Sequence, residues 1–183
     1  MDNGASSYRR FLDGDESAFD DVMKALFHNL VFFVDGYVHD VHASEDIAID
    51  VFSELIASPR KYNFRVSLKT YLFMLGRSRA IDYIRHRRVI DLTELSEAEC
   101  LPDDSASLEE IVLDNERKRI VSSALSRLIG DMREVVHLIY FEDMTYEQAA
   151  RVMKKTRKQV DNLLYRAKKE LRIILGEDGE RLL

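Results

Sequence analysis

Two T-x-x-Q motifs, Thr145 to Gln148 and Thr156 to Gln159, sit inside a stretch whose charge does not match the chain that carries it. Residues 145 to 171 hold eight Lys or Arg and three Asp or Glu, whereas the whole chain has 27 bases against 33 acids and a net charge of -6. In a T-x-x-Q box the hydroxyl caps the third backbone N–H of a helix while the amide reaches back to the cap residue. Two boxes eleven residues apart predict a short helix, a tight turn near Lys154 and Lys155, and a second helix, which is helix-turn-helix spacing. Arg157 and Lys158 fall in the second helix's first turn, where the helix dipole disfavours each cation by about 0.3 to 1 kcal/mol. An anionic target explains that placement better than stability does. In a major groove they reach phosphates or guanine O6 and N7, Asn162 suits adenine N6 and N7, and Asp161 can accept from cytosine N4. Thr156, Tyr165, Arg166 and Lys169 share this outer face. The competing reading is a solvated charged face with Asp161 paired to Lys158 or Tyr165.

The rest of the charge is also blocked. Residues 1 to 59 carry three bases and twelve acids, 60 to 88 nine bases and one acid, and 89 to 116 ten acids and no base. Two basic patches separated by an acidic strip suit a protein that meets nucleic acid on two surfaces.

Helices must position these blocks. With two prolines and seven glycines in 183 residues, and 46% hydrophobic residues, the chain is expected to be all-α with a real core, in one ordinary or two small domains. Phe19, Val22, Met23, Leu26, Phe27, Leu30, Val31 and Val34 recur every three or four residues and predict one long helix. Ser44 is read as opening the next, with Ile47, Val51, Phe52 and Leu55 inward, Asp46, Asp50, Ser53 and Glu54 outward, and Pro59 as its stop. A third runs from about Ser67 through Leu68, Leu72, Leu75, Ile81 and Ile84 into Arg85–Arg88. Residues 91 to 106 read as an acidic linker, and Ser107 with Glu110 as a capping box opening a second domain. On the last helix Val160, Leu163, Leu164, Ala167, Leu171 and Ile174 are the expected core face. The polar N-terminus suggests no secretion signal, the apolar run Leu30–Val34 is too short to cross a bilayer, and the lone Cys100 allows no intrachain disulfide. A cytoplasmic protein without membrane insertion is the expectation.

These phrases, in this order, resemble a family. "LSRLIGDMREVVHLIYFEDMTYEQAARVMKKTRKQVDNLLYRAKKEL" is similar to region 4 of sigma-70 family sigma factors, and "GDESAFDDVM", "SEDIAIDVFSEL" and "SLKTYLFMLGRSRAIDYIRHRR" are similar to region 2. With only a short linker between them, the chain resembles the compact extracytoplasmic-function group. The resemblance implies two helical domains, 1–90 and 107–183, joined by the 91–106 linker, and a non-enzymatic subunit, without cofactor or metal, that directs bacterial RNA polymerase core to promoter DNA. It implies that Asp46, Asp50, Phe52 and Glu54 dock on polymerase. Tyr62, Asn63, Phe64, Arg65, Lys69, Tyr71, Arg77, Arg85, Arg87 and Arg88 are implied to hold the melted promoter strand, with cations for phosphates and aromatic or amide groups for unstacked bases. Thr156, Arg157, Lys158, Asp161, Asn162, Tyr165, Arg166 and Lys169 are implied to read the upstream element, and an anti-sigma factor is an implied partner. The acidic linker is implied to thread through polymerase, its carboxylates imitating phosphates; a solvated tether is the plainer alternative. Ile49 stands where the family often has Gln, Tyr71 where many relatives have Trp, Ser78 where many have Asn, and Asp161 where a basic residue is common.

Two other classes compete. A conventional helix-turn-helix regulator would bind DNA without polymerase and would need neither the 60–88 block nor the acidic strip. More remotely, Glu45, Asp46 and Asp50 near one helix face suggest an all-α, Mg-dependent nucleotide pyrophosphohydrolase, though no second acidic helix with matching spacing and no Gly-rich phosphate cradle accompanies them. His39 and His42 lack another clear metal ligand and read as surface residues.

Overall fold

The structure, a computed structural model, describes residues 4–94 and 123–180, and within these the regular elements are helical. The chain divides into two compact units, residues 1–107 and 108–183. The first contains α1 (Ala5–Leu12), α2 (Ala18–Val38), α3 (Val41–Ala57), a 3₁₀ turn at Pro59–Lys61, and α4 (Leu68–Glu94).

The apolar stripe expected on α2 is its buried face: Val22, Leu26, Leu30, Val31 and Val34 are all buried, against Val51 and Leu55 of α3 and Leu68, Leu72 and Phe73 of α4 in one core. Phe33 and Phe73 meet with ring centroids 4.8 Å apart. Gly76 lets α4 approach α2 closely: a Cβ there would lie 2.8 Å from Leu30 Cδ1, and the Leu30 side chain would have to shift.

Three boundaries differ from the sequence reading. The α3 cap is Asp40, whose carboxylate accepts from the Ala43 N–H at 3.0 Å. Ser44, expected to open α3, lies inside its first turn, fully buried, and donates its hydroxyl back to the Asp40 carbonyl. Helix α4 runs on to Glu94, so residues 91–94 of the expected linker are helical. The remainder of that linker and the Ser107–Glu110 box lie outside the described residues. Finally, the polar N-terminus folds as α1, which the periodicity did not reveal because its only buried side chain in the helix is Tyr8. Ser67 does cap α4, its Oγ accepting from the Thr70 N–H at 3.1 Å.

The second unit has a helical turn over 123–126, then α5 (Gly130–Val136), which continues into a π turn at His137–Phe141. Helices α6 (Tyr146–Met153) and α7 (Arg157–Glu180) follow. Gly176, at φ 53, interrupts α7 near its end. Met132, Val135, Val136, Ala149, Val152, Met153, Val160, Leu164 and Ala167 are buried together as the core. Of the expected core face of α7, Leu163, Leu171 and Ile174 are only half-buried.

Tyr8 fixes α1 to the rest of its unit: fully buried, it donates its hydroxyl to the Leu55 carbonyl at 2.9 Å, near the end of α3. Burial, reinforced by Tyr71 and Tyr62, pushes its pKa up to about 12. A tyrosine whose folded pKa lies above the unfolded value of about 10 contributes stability that is complete below that value and lost as pH rises towards 12. Tyr8→Phe is therefore expected to cost about 1 kcal/mol in urea denaturation at neutral pH. The gap from the unsubstituted protein should close as pH is raised from 10 to 12; a pH-independent gap would show that the hydroxyl is not the stabilising group.

Candidate nucleic-acid interface

Both capping boxes form. Gln148 N–H donates to Thr145 Oγ1 at 3.2 Å while Gln148 Oε1 accepts from the Thr145 N–H at 2.8 Å. The second box repeats this, with 3.3 Å from Gln159 N–H to Thr156 Oγ1 and 2.8 Å from Thr156 N–H to Gln159 Oε1. Between them Lys154 takes the left-handed conformation at φ 52 and closes α6, and Lys155 pairs with Asp131 of α5 at 3.0 Å. Local hydrogen bonding and one ion pair thus fix the angle at which α7 leaves the turn.

Burial of Val160, Leu164 and Ala167 turns the opposite face of α7 outward, and all eight residues expected there, Thr156, Arg157, Lys158, Asp161, Asn162, Tyr165, Arg166 and Lys169, are exposed. Tyr165 keeps 72% of its surface open. Arg157 Nε stands 3.1 Å from a Glu147 carboxylate oxygen of α6, an ion pair that keeps the guanidinium near the helix N-terminus. Asp161 has no ion pair or hydrogen bond with Lys158, Tyr165 or any other described side chain. The surface pair offered as its alternative role is not formed. Sequence reasoning missed a neighbouring feature: the π turn leaves Tyr140 and Phe141 exposed, and Lys168 lies 5.5 Å over the Tyr140 ring, its pKa raised by hydrogen bonding to that hydroxyl.

In the first unit the loop after Pro59 packs its rings, mutually tilted, against each other and against Tyr71 of α4. Tyr62 is 4.5 Å from Phe64 and 5.1 Å from Tyr71 between centroids, and its hydroxyl donates to the Val66 carbonyl at 2.8 Å. At 4% exposure Tyr62 is an interior layer, so its expected direct contact with a base is corrected to support of the rings beside it. Phe64 is half-buried at φ 59, while Asn63 and Arg65 are exposed and joined by a 3.1 Å bond from Arg65 N–H to Asn63 Oδ1. Tyr71 is half-buried, and burial chiefly, with the Glu54 charge, raises its pKa. On α4, Lys69 leans over the Phe73 ring at 5.8 Å, Arg77 is half-buried, Arg85 pairs with Asp82 at 3.5 Å, and Arg87 and Arg88 are exposed.

The expected protein-docking residues on α3 separate into three kinds. Asp46 and Asp50 are exposed, Asp50 also standing 3.4 Å from Arg79 of α4. Phe52 is 2% exposed, packed against Phe19 and Phe27, and is corrected from surface contact to core. Glu54, expected to point outward, is engaged within its own unit: it accepts from Lys61 Nζ at 2.6 Å and from Arg79. Those two hydrogen bonds, Lys61 first, hold its carboxyl below the ordinary carboxylate range. The exposed apolar side chains on α3 are Ile49 and Ile56, at 50% and 47%. They are distinguishable from core positions only once the helix is oriented.

Among the described residues no three His, Cys, Asp or Glu side chains gather where they could hold a metal ion, and no helix is long and apolar enough to cross a membrane.

Residues 22–89 match the family described as Sigma-70 region 2, and residues 118–171 match Sigma-70, region 4. The chain is 22% identical to the ECF RNA polymerase sigma factor SigM of Bacillus subtilis, over 85% of this chain and 93% of that protein. It is 27% identical to the RNA polymerase sigma factor CarQ of Myxococcus xanthus, over 92% and 95%. Among solved structures, the fold is similar to that of the sigma factor RpoE of Bartonella quintana, crystallised with the anti-sigma factor NepR, at a TM-score of 0.67 and 21% identity over 87% of this chain and 98% of that one. It is equally similar, at 0.67 and 19% identity over 97% and 99%, to CnrH in complex with the cytosolic domain of CnrY.

The caps and the Arg157 pair separate by their effect on stability. Thr145→Ala and Thr156→Ala are each expected to lower the stability of the second unit by about 1 kcal/mol. Glu147→Ala, whose pair with Arg157 is solvent-exposed, should change it by less than about 0.5 kcal/mol. Urea titration followed by helical ellipticity reads all three; a larger loss for Glu147→Ala than for either threonine would contradict this account of the turn.

Proposed function

The chain belongs to the sigma-70 family of RNA polymerase sigma factors, in the extracytoplasmic-function group, and on that premise we propose how its residues divide the work. As a sigma factor it directs RNA polymerase core to promoter DNA, and the polymerase carries out the chemistry. The observation that carries our assignment is the exposed face of α7 behind a doubly capped turn. Arg157 and Lys158 enter the major groove first, Asn162 and Asp161 follow at base edges, and Tyr165, Arg166 and Lys169 track the backbone of the upstream element. In the first unit, Asn63, Phe64 and Arg65, backed by Tyr62 and Tyr71, hold the melted strand, with Lys69, Arg77, Arg85, Arg87 and Arg88 on its phosphates.

Polymerase docks on α3, where Asp46 and Asp50 flank Ile49 and Ile56. Exposed apolar side chains among carboxylates fit a partner whose contact surface pairs cations with an apolar centre. Phe52 supports this face from beneath. As the RpoE structure contains an anti-sigma factor, we extend that class of partner to this chain.

The deciding experiment mixes the purified protein with bacterial core polymerase and a promoter library and sequences the transcript starts. A stable core complex and promoter-selected transcripts are expected. Sequence-specific DNA binding without core would favour the conventional regulator, and Mg-dependent phosphohydrolysis the enzyme. On the selected promoters, Asp161→Ala is expected to lose a cytosine preference at one upstream position, worth about 1 to 3 kcal/mol; unchanged preference would remove Asp161 from the readers. Ile49→Glu or Ile56→Glu should weaken core binding by about tenfold or more with the fold intact. Phe52→Ala should instead destabilise the unit by about 3 to 5 kcal/mol.

A further inference from the structure

One cation in the acidic N-terminal block has a position that its sequence context hides. Arg9, on α1, is exposed, and its guanidinium lies 4.8 Å over the Phe64 ring. Its neighbour Arg10 is committed to Asp15 and Asp21, but Arg9 has no acidic partner among the described residues. It forms the outermost layer of the ladder Tyr71, Tyr62, Phe64, with Tyr8 packed beside both Tyr62 and Phe64. Phe64 is held at φ 59, a left-handed conformation that a bulky aromatic residue rarely adopts and that surrounding contacts must impose.

We propose that Arg9 is a further binding residue for the unpaired promoter strand, gripping a phosphate beside the Asn63–Arg65 loop; this rests on the assignment of that loop to the melted strand. A stacked guanidinium uses its face against the ring and leaves its N–H donors free around the rim, where a phosphate oxygen can accept two of them. Arg9 therefore performs two tasks with one group: it keeps Phe64 presented and supplies charge beside it. Exposed Asn63 and Arg65 on the same loop complete the combination of stacked ring, amide and cations that suits single-stranded nucleic acid rather than a duplex. Helix α1, pinned through Tyr8 to α3, makes the placement rigid.

The test uses the full chain bound to core polymerase and a labelled non-template strand from a promoter selected in the transcription experiment, titrated over a range of salt. Arg9→Ala is expected to weaken binding by about two- to tenfold and to reduce the salt slope by about 0.7, the value for one phosphate contact on a single strand. Arg9→Lys should restore the slope but only part of the affinity, because an ammonium keeps the charge without the planar fork. Unchanged affinity and slope for Arg9→Ala, beside a clear loss for Arg87→Ala, would overturn the role of Arg9 alone. No loss for either variant would overturn the strand assignment of the whole basic block as well. A loss of core affinity in place of strand affinity would move Arg9 to the polymerase interface and sink the proposal.

Discussion

A single carboxylate, Glu54, ties together the segments on which the first unit's surfaces depend. It projects from the last turn of α3, accepts from Lys61 in the turn that follows and from Arg79 midway along α4. The helix that carries the exposed carboxylates Asp46 and Asp50 and the helix that carries the basic block are thereby joined. Because its folded pKa is lowered, the junction contributes stability above the unfolded carboxylate value and loses it only as pH falls through the folded one. Near neutral pH Glu54 is therefore charged and able to hold both cations. Directly above it, Ser58 N–H returns to the Glu54 carbonyl, and Tyr8 closes on Leu55 next door. The loop of packed, tilted rings leaves from a support braced by three elements.

Opposite charges within one small unit create a problem that this geometry resolves. An acidic α3 beside a basic α4 would collapse into mutual neutralisation if all their side chains met. Here Arg79 and Lys61 absorb Glu54, with Arg79 also close to Asp50, while Asp46 on one side and Arg87 and Arg88 on the other stay at the surface. Arg79 is the α4 cation that these pairs engage with α3. Charge farther along each helix remains available for an outside partner, which is how a chain with a net charge of -6 keeps cationic surfaces for nucleic acid.

The parts that were legible in the sequence are those with local signatures. Two T-x-x-Q boxes gave the helix-turn-helix and its eight outward residues because each box depends on four consecutive positions. The apolar period gave α2 and the inward face of α3 for the same reason. What escaped depends on distance along the chain. Glu54 looked like one more outward acid because its partners lie 7 and 25 residues away. Tyr62 looked like a free stacking ring until Tyr8 and Tyr71 closed around it. Phe52 was read both as core and as contact, two roles that a residue with 2% exposure cannot combine. Asp40 is the less visible cap because Ser44 stands closer to Ile47, the first residue of the expected apolar face. Helix α1 had no visible stripe, since one fully buried tyrosine does the anchoring that a face of aliphatic residues does elsewhere.

Asp161 shows how the absence of a contact constrains a role. On the face proposed to approach DNA, a carboxylate would be repelled by phosphates and lose hydration as the groove closes, so it would weaken binding to every sequence unless a donor met it. Had Lys158 neutralised it within the helix, that cost would have been met internally and the residue would carry no information. The pair does not form, and Arg157 is paired with Glu147 instead. The remaining donor in a major groove at that depth is the exocyclic amine of cytosine, or of adenine in company with Asn162. A residue that penalises all sites and is relieved at few of them raises discrimination while lowering average affinity, and the seven bases from Lys154 to Lys169 leave enough cationic charge for that penalty to be tolerated.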